Sequence, residues 1–211
     1  MCTRYYMELS PELKPYVDRA LRSPLRDRMI AELGRPLKTE GEIRPTDIAP
    51  VIAPDHSHHL TVFPMIWGFT NPYGSGQPLV NCRAETAKDK PFWKESWNRR
   101  RCIIPCSYYF EWEHSTTADG RKKAGQKYMI QPEDCTITYL AGLYDIEERS
   151  GLKIPVFTVL TREPAESIRF IHDRMPLILG REQINAWMDP ERDPGEVVRY
   201  ALTDMYFEKA Q

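Results

Sequence analysis

Leu13, Val17, Ala20 and Leu21 recur at the spacing of a helix face behind Ser10 and Pro11, a pair suited to an N-cap followed by proline at the first helical position. The pattern predicts an amphipathic helix there and a second from Pro24 to Leu33, stopped by Gly34 and Pro36. From Ile43 the period changes. Ala49 to Ala53, Leu60 to Trp67 and Leu79 to Cys82 are short β-like runs broken by proline, where a sheet should begin. Between Thr86 and Arg101 a charged stretch carries Phe92, Trp93 and Trp97 on one side, as in one or two partly exposed helices. Strand-like runs resume at Cys102 to Ile104, Tyr108 to Glu113, Tyr128 to Gln131, Thr136 to Tyr144 and Ile154 to Leu160. The polar stretch from His114 to Gly125 reads as an exposed hairpin loop. A helix from Glu163 to Ile171, a short strand at Leu177 to Leu179, and helices from Arg181 to Met188 and Gly195 to Leu202 complete the chain. Strands mixed with peripheral helices, without regular βαβ alternation, predict an α+β fold.

With 211 residues, 41% of them hydrophobic, the sequence suits one domain spanning 1–211. Twenty-nine basic against 30 acidic residues leave a net charge of −1, so any polyanion must be met by a local patch. Five cysteines at uneven spacings, with no charged-then-apolar leader, argue against a secreted disulfide framework and for a reducing cytosol. No run approaches the roughly 18 to 20 apolar residues needed to cross a bilayer. Eighteen prolines against 11 glycines predict many short elements rather than glycine-rich phosphate loops.

Four groups of residues carry possible chemistry. The chain opens Met1-Cys2-Thr3-Arg4, and excision of Met1 before a small residue would expose Cys2 with an amine titrating near about 8 and a thiol near about 8.5. An aldehyde condenses with such an amine to an imine, and the neighbouring sulfur closes on that carbon as a thiazolidine. An internal cysteine cannot do this. Burial statistics also allow Cys2 a bland role as core filler. In Asn81-Cys82-Arg83-Ala84-Glu85-Thr86, a strand would turn Asn81, Arg83 and Glu85 to one side, an amide beside a guanidinium able to clamp a phosphate. Polar strand ends are, equally, ordinary solvated caps. In Tyr108-Tyr109-Phe110-Glu111-Trp112, apolar neighbours would raise the pKa of a buried Glu111 into the range of a proton shuttle. Thr161 and, eleven residues on, His172, in a run ending Asp173-Arg174-Met175-Pro176, offer a hydroxyl and an imidazole; a lone histidine after a helix is otherwise a cap.

Taken in order, these pieces, with Trp67-Gly68, Arg101-Cys102, Pro105 and Ala141-Gly142-Leu143, resemble the SRAP family, the SOS-response-associated peptidase-like proteins. The resemblance implies a single β-rich domain with a barrel-like core and peripheral helices. It implies that processed Cys2 cross-links the ring-opened aldehyde of an abasic site in single-stranded DNA, with Asn81 positioning the amine, Glu111 assisting sugar opening and His172 moving protons. Arg4 and Arg83 would hold phosphates, Trp67 would serve as a platform or wedge beside an unstacked base, and Thr161 would support the DNA site as a hydrogen-bond donor, the alternatives being a surface salt bridge for either arginine and a core anchor for Trp67. Lys88, Lys90, Lys94, Arg99, Arg100 and Arg101, interrupted by Asp89 and Glu95, would extend the groove or form an ordinary solvated helix face. No metal, no cofactor, no membrane, a monomer, and a cytoplasmic protein associated with the nucleoid when bound to DNA are expected. Thr3 stands where the family usually has glycine, and Cys82 where it has a smaller residue.

Two other classes of function compete. An N-terminal cysteine beside Asn, Glu and His also suits a peptidase or amidase that forms an acyl-enzyme. A module that binds single strands without chemistry would keep its affinity in Cys2→Ala. Zinc held by Cys102, Cys106 and His114 lacks a fourth ligand.

Overall fold

Alternating burial in the first strand sets the geometry of the N-terminus. In the computed structural model, which describes residues 2–74, 76–116, 122–149 and 151–210, β1 (Arg4–Met7) buries Tyr5 and Met7 while Arg4 and Tyr6 stay half-exposed. That is the period of two expected of a sheet covered on one face. β1 pairs antiparallel with β2 (Gly41–Ile43) on one edge. A second sheet contains β3 (Ile48–Pro54), β4 (Leu60–Trp67) and a short β5 (Asn81–Arg83). β6 (Arg101–Cys106) joins that sheet, whereas β7 (Tyr108–Thr116) and β8 (Lys122–Pro132) return to the first and leave β1 between β7 and β2. β9 (Thr138–Arg149) and β10 (Leu152–Arg162) are the long strands of the second sheet, and two-residue strands β11 (Met175–Pro176) and β12 (Ile178–Leu179) pair with β10 and β9. β13 (Met205–Lys209) closes the far edge of the first sheet against β8.

The second sheet closes on itself. β3 pairs with β4 and β6, β6 with β9, β9 with β10, and β10 returns in parallel to β4, so five strands form a barrel. Both faces of those strands are covered, which is why they read as continuous apolar runs. On β6, Cys102, Ile104 and Cys106 join Met65, Trp67, Leu140 and Phe157 in one cluster that also takes Tyr5 and Tyr109 from the first sheet. Ile103 turns the other way, into a cluster with Trp93, Trp97 and Trp187.

Six short helices ring the strands: α1 (Lys14–Leu21), α2 (Pro24–Leu33), α3 (Ala84–Ala87), α4 (Pro91–Arg99), α5 (Ile184–Met188) and α6 (Pro194–Val198). The architecture is the expected α+β one. No helix among the described residues is long and apolar enough to cross a membrane.

Several boundaries differ from the sequence reading, each for a local reason. Ser10 Oγ accepts from the Leu13 N–H at 3.2 Å and so caps a preceding turn, and α1 begins at Lys14 with a proline in its first turn. His114 to Gly125 is largely strand, because β7 and β8 stay paired to Thr116 and Lys122; residues 117–121 lie outside the described set. Pro164 cannot donate within a helix, and the segment after it forms only a 3₁₀ turn at Glu166–Ile168. The last helix stops at Val198. Glu85 is not on a strand: β5 ends at Arg83 and Glu85 lies in the first turn of α3.

Gly142 marks a close contact between strands. A Cβ there would stand 2.7 Å from Ile104 Cδ1, 2.7 Å from Thr158 O and 3.0 Å from Cys102 Sγ. Gly142→Ala is expected to destabilise the fold by about 1–3 kcal/mol, read as a lowered urea midpoint with an unchanged slope.

Candidate functional site

β1 ends its pairing with β7 at Arg4↔Phe110, and the chain before it passes Cys2 into the interior, where the residue is 0% exposed. The Cys2 thiol donates weakly to Arg4 O at 3.7 Å. Burial, and then the charge of Glu111, push this thiol far above the ordinary cysteine range, so it is protonated at neutral pH. Met1, whose removal would free the Cys2 amine, lies outside the described residues.

Asn81 reaches Cys2 from the neighbouring sheet. β5 runs parallel to β10 with Asn81 opposite Val159, and from there Asn81 Nδ2 donates to Cys2 O at 2.8 Å. Its Oδ1 is buried and, among the described residues, accepts no hydrogen bond. A buried acceptor left in that state costs about 1–3 kcal/mol, so this oxygen calls for an N–H donor.

Glu111 follows from alternation on β7. Tyr109 and Glu111 turn inward, while Tyr108, Phe110 and Trp112 face the other side, where Arg4 and Lys127 lie over the Trp112 and Phe110 rings. Glu111 is 4% exposed, and burial, followed by the charge of Asp173, raises its carboxyl pKa.

His172 arrives on the edge of β7 beyond the end of β1. The His114 N–H donates to Ile171 O at 3.0 Å and so lays the segment before His172 against that edge. His172 is 6% exposed, and its pKa is pulled down to about 4, first by burial and then by neighbouring groups including His114. Two groups compete for His172 Nδ1: the Arg174 N–H at 2.9 Å and the Asp173 carboxylate at 2.8 Å. A neutral ring favours the first, so Nδ1 accepts and Nε2 carries the proton at pH 7. An unfolded histidine titrates near about 6.5, so between that pH and about 4 the unfolded chain binds a proton that the folded chain refuses. Stability contributed by this histidine is complete above about 6.5 and is lost as the pH falls towards 4, by an amount on the order of 1–2 kcal/mol. Urea titrations at pH 7 and pH 5 are expected to show the loss, and His172→Gln to reduce it.

The DNA-facing residues are dispersed. Arg4 is half-exposed and bonded to Glu42 at 2.5 Å, and Arg83 is exposed. Trp67 corrects the sequence reading: it is 0% exposed, donates Nε1–H to Val80 O at 2.9 Å and stacks on Phe157, so it is a core anchor rather than a base platform. Thr161, 1% exposed, is not open to a DNA strand; its hydroxyl donates to Cys82 O at 3.4 Å and accepts from Arg174 Nη2. The basic cluster also thins. Arg101 is buried and Arg100 pairs with Glu95 and Asp145, leaving Lys88, Lys90, Lys94 and Arg99 exposed. Cys102 and Cys106 lie four residues apart on one strand, roughly 13 Å, too far to share a metal ion with each other.

Arg174 is the residue the sequence reading passed over. Its guanidinium binds Glu85 through two nitrogens at 3.0 and 2.8 Å, while its backbone N–H holds His172. It ties the Asn81 to Thr86 motif to the His172 motif. Sequence offered only the juxtaposition of charge in the two motifs, 89 residues apart.

Comparison with known proteins gives the family and the fold. The model of the SOS response associated peptidase (SRAP) family matches residues 1–210. The chain belongs to that family. Among SRAP relatives, it is 30% identical over 141 residues to "Abasic site processing protein YoaM" of Bacillus subtilis, covering 64% of this chain and 60% of that protein. It is 29% identical over 137 residues to "Abasic site processing protein YedK" of Escherichia coli, covering 65% of this chain and 59% of that one. The matches thus span about 60% of the length of these curated relatives. A crystal structure of a protein from Bacteroides thetaiotaomicron superposes with a TM-score of 0.73 at 21% identity, covering 100% of this chain and 92% of that one, and shares the fold.

Proposed function

We propose that this SRAP chain processes abasic sites by capturing the sugar aldehyde, in single-stranded DNA, on the amine and thiol of Cys2 after Met1 is removed. The observation that carries the reading is the Asn81 amide. It grips Cys2 O while its own buried oxygen awaits a donor, and the new Cys2 amine would supply N–H groups beside it. The relatives' names, which speak of abasic-site processing, support the substrate class.

The chemistry follows from groups already placed. The Cys2 amine adds to the sugar C1 carbonyl, and the carbinolamine loses water to give an imine. Glu111, held protonated more readily than a solvated carboxylate, supplies the proton that leaves with the water. The thiol then adds across C=N: sulfur bonds to carbon and its proton ends on nitrogen, closing a thiazolidine. Burial holds the proton on this thiol, so sulfur must attack the imine carbon as that proton passes to nitrogen, the thiolate being the stronger nucleophile. His172, neutral and held by Arg174, exchanges protons at the sugar, while Arg4 and Arg83 are the phosphate ligands.

Glu111→Gln keeps the shape and removes the proton. It is expected to slow adduct formation about 100-fold in single-turnover assays on an abasic oligonucleotide, the lower range for a lost general acid or base. An unchanged rate would remove Glu111 from the mechanism.

A further inference from the structure

His114 is not part of that chemistry, yet its ring centroid lies 3.8 Å from that of His172. Asp173 adds a carboxylate oxygen 2.8 Å from His172 Nδ1. One donor atom from each of the three residues lies within 4.8 Å of the other two. His172 is buried, and its Nδ1, which accepts from the Arg174 N–H, would exchange that bond for the ion, whereas His114 and Asp173 are exposed. Rotation of those two side chains would bring the set to the roughly 3.3 Å separations that ligands adopt around a tetrahedral ion with bonds of about 2.0–2.2 Å. Two imidazoles and one carboxylate suit a first-row divalent ion such as zinc and disfavour magnesium or calcium, which take oxygen ligands.

We propose that His114, His172 and Asp173 form a binding site for a zinc-class divalent cation, and that its occupation withdraws His172 from proton transfer at the Cys2 adduct. The binding claim stands on these three side chains alone; the inhibitory claim rests on the function proposed above. Three protein ligands leave further positions for water, so the ion would be exchangeable and responsive to chelators.

The test titrates zinc chloride into the full chain lacking Met1, and into Cys2→Ala, His114→Ala and Asp173→Asn. One equivalent should bind to the first two proteins, and binding should weaken roughly tenfold or more in the last two. Because free thiols also take zinc, cobalt(II) is used in parallel: a histidine and carboxylate site gives visible ligand-field bands without a thiolate-to-metal charge-transfer band. Undiminished binding in His114→Ala, or a thiolate band that vanishes in Cys2→Ala, overturns the site. Zinc should slow adduct formation with an abasic oligonucleotide, chelation should restore it, and His114→Ala should lose this sensitivity relative to its own metal-free rate. If zinc binds as described and adduct formation is unaffected, the inhibitory claim falls. If no adduct forms even without metal, the proposed function fails, while the titrations still decide the site.

Discussion

Cys2→Ala and Cys2→Ser are both expected to abolish the adduct that survives without reductant, each leaving an imine that is retained only when trapped with borohydride. Alanine keeps the amine and removes the sulfur, so condensation stops at a reversible imine that denaturing electrophoresis without reductant does not retain. Serine restores a nucleophile of similar size whose ring product hydrolyses readily. Folding should tolerate both changes better than a large core truncation does, because Cys2 is small, although it is fully buried. The comparison is therefore made on proteins matched by thermal melting. An irreversible adduct in Cys2→Ala would place the nucleophile elsewhere.

Arg101→Met costs about 4 kcal/mol or more and lowers the melting temperature by roughly 10 °C. Arg101 is 2% exposed, and its guanidinium donates to the backbone oxygens of Trp97 and Asn98 at 2.9 and 2.7 Å, to Arg192 O at 3.2 Å, and to Trp187 and Asp189. It thereby caps the end of α4 and ties the segment after α5 to the start of β6. Methionine fills much of the volume but leaves several buried carbonyls without donors, each worth about 1–3 kcal/mol. Arg101→Lys should recover part of the loss, since one ammonium cannot reach five oxygens. A melting temperature within about 3 °C of the parent would show that water replaces the guanidinium at little cost.

Arg101 also shows where sequence reading reaches its limit. Beside Arg99 and Arg100 it read as one more groove cation, because a linear pattern cannot tell a solvated arginine from one buried among main-chain oxygens 86 to 91 residues away. Trp67 failed for a related reason. Its apolar ring suits a base platform or a core, and only the closing of β10 against β4 decides for the core. What sequence made legible was chemistry tied to local alternation. The pleat that buries Tyr109 also buries Glu111, and strand pairing beside β10 brings Asn81 to Cys2. The α+β class followed from short proline-broken runs, but a barrel closed by one parallel pair among antiparallel ones lies in long-range pairing that periodicity does not encode. Arg174 stayed hidden, and sequence offers His114 only as a ligand beside Cys102 and Cys106, because the significance of each is a distance to His172, not a spacing.

The central claim is that Cys2, freed of Met1, captures an abasic aldehyde. Intact mass spectrometry of the purified protein, before and after incubation with single-stranded DNA carrying one abasic site, tests it most directly. The account predicts a protein lacking Met1 that gains the mass of the oligonucleotide less one water, stable without reductant. A protein lacking Met1 that remains free beside a reactive abasic strand would contradict it.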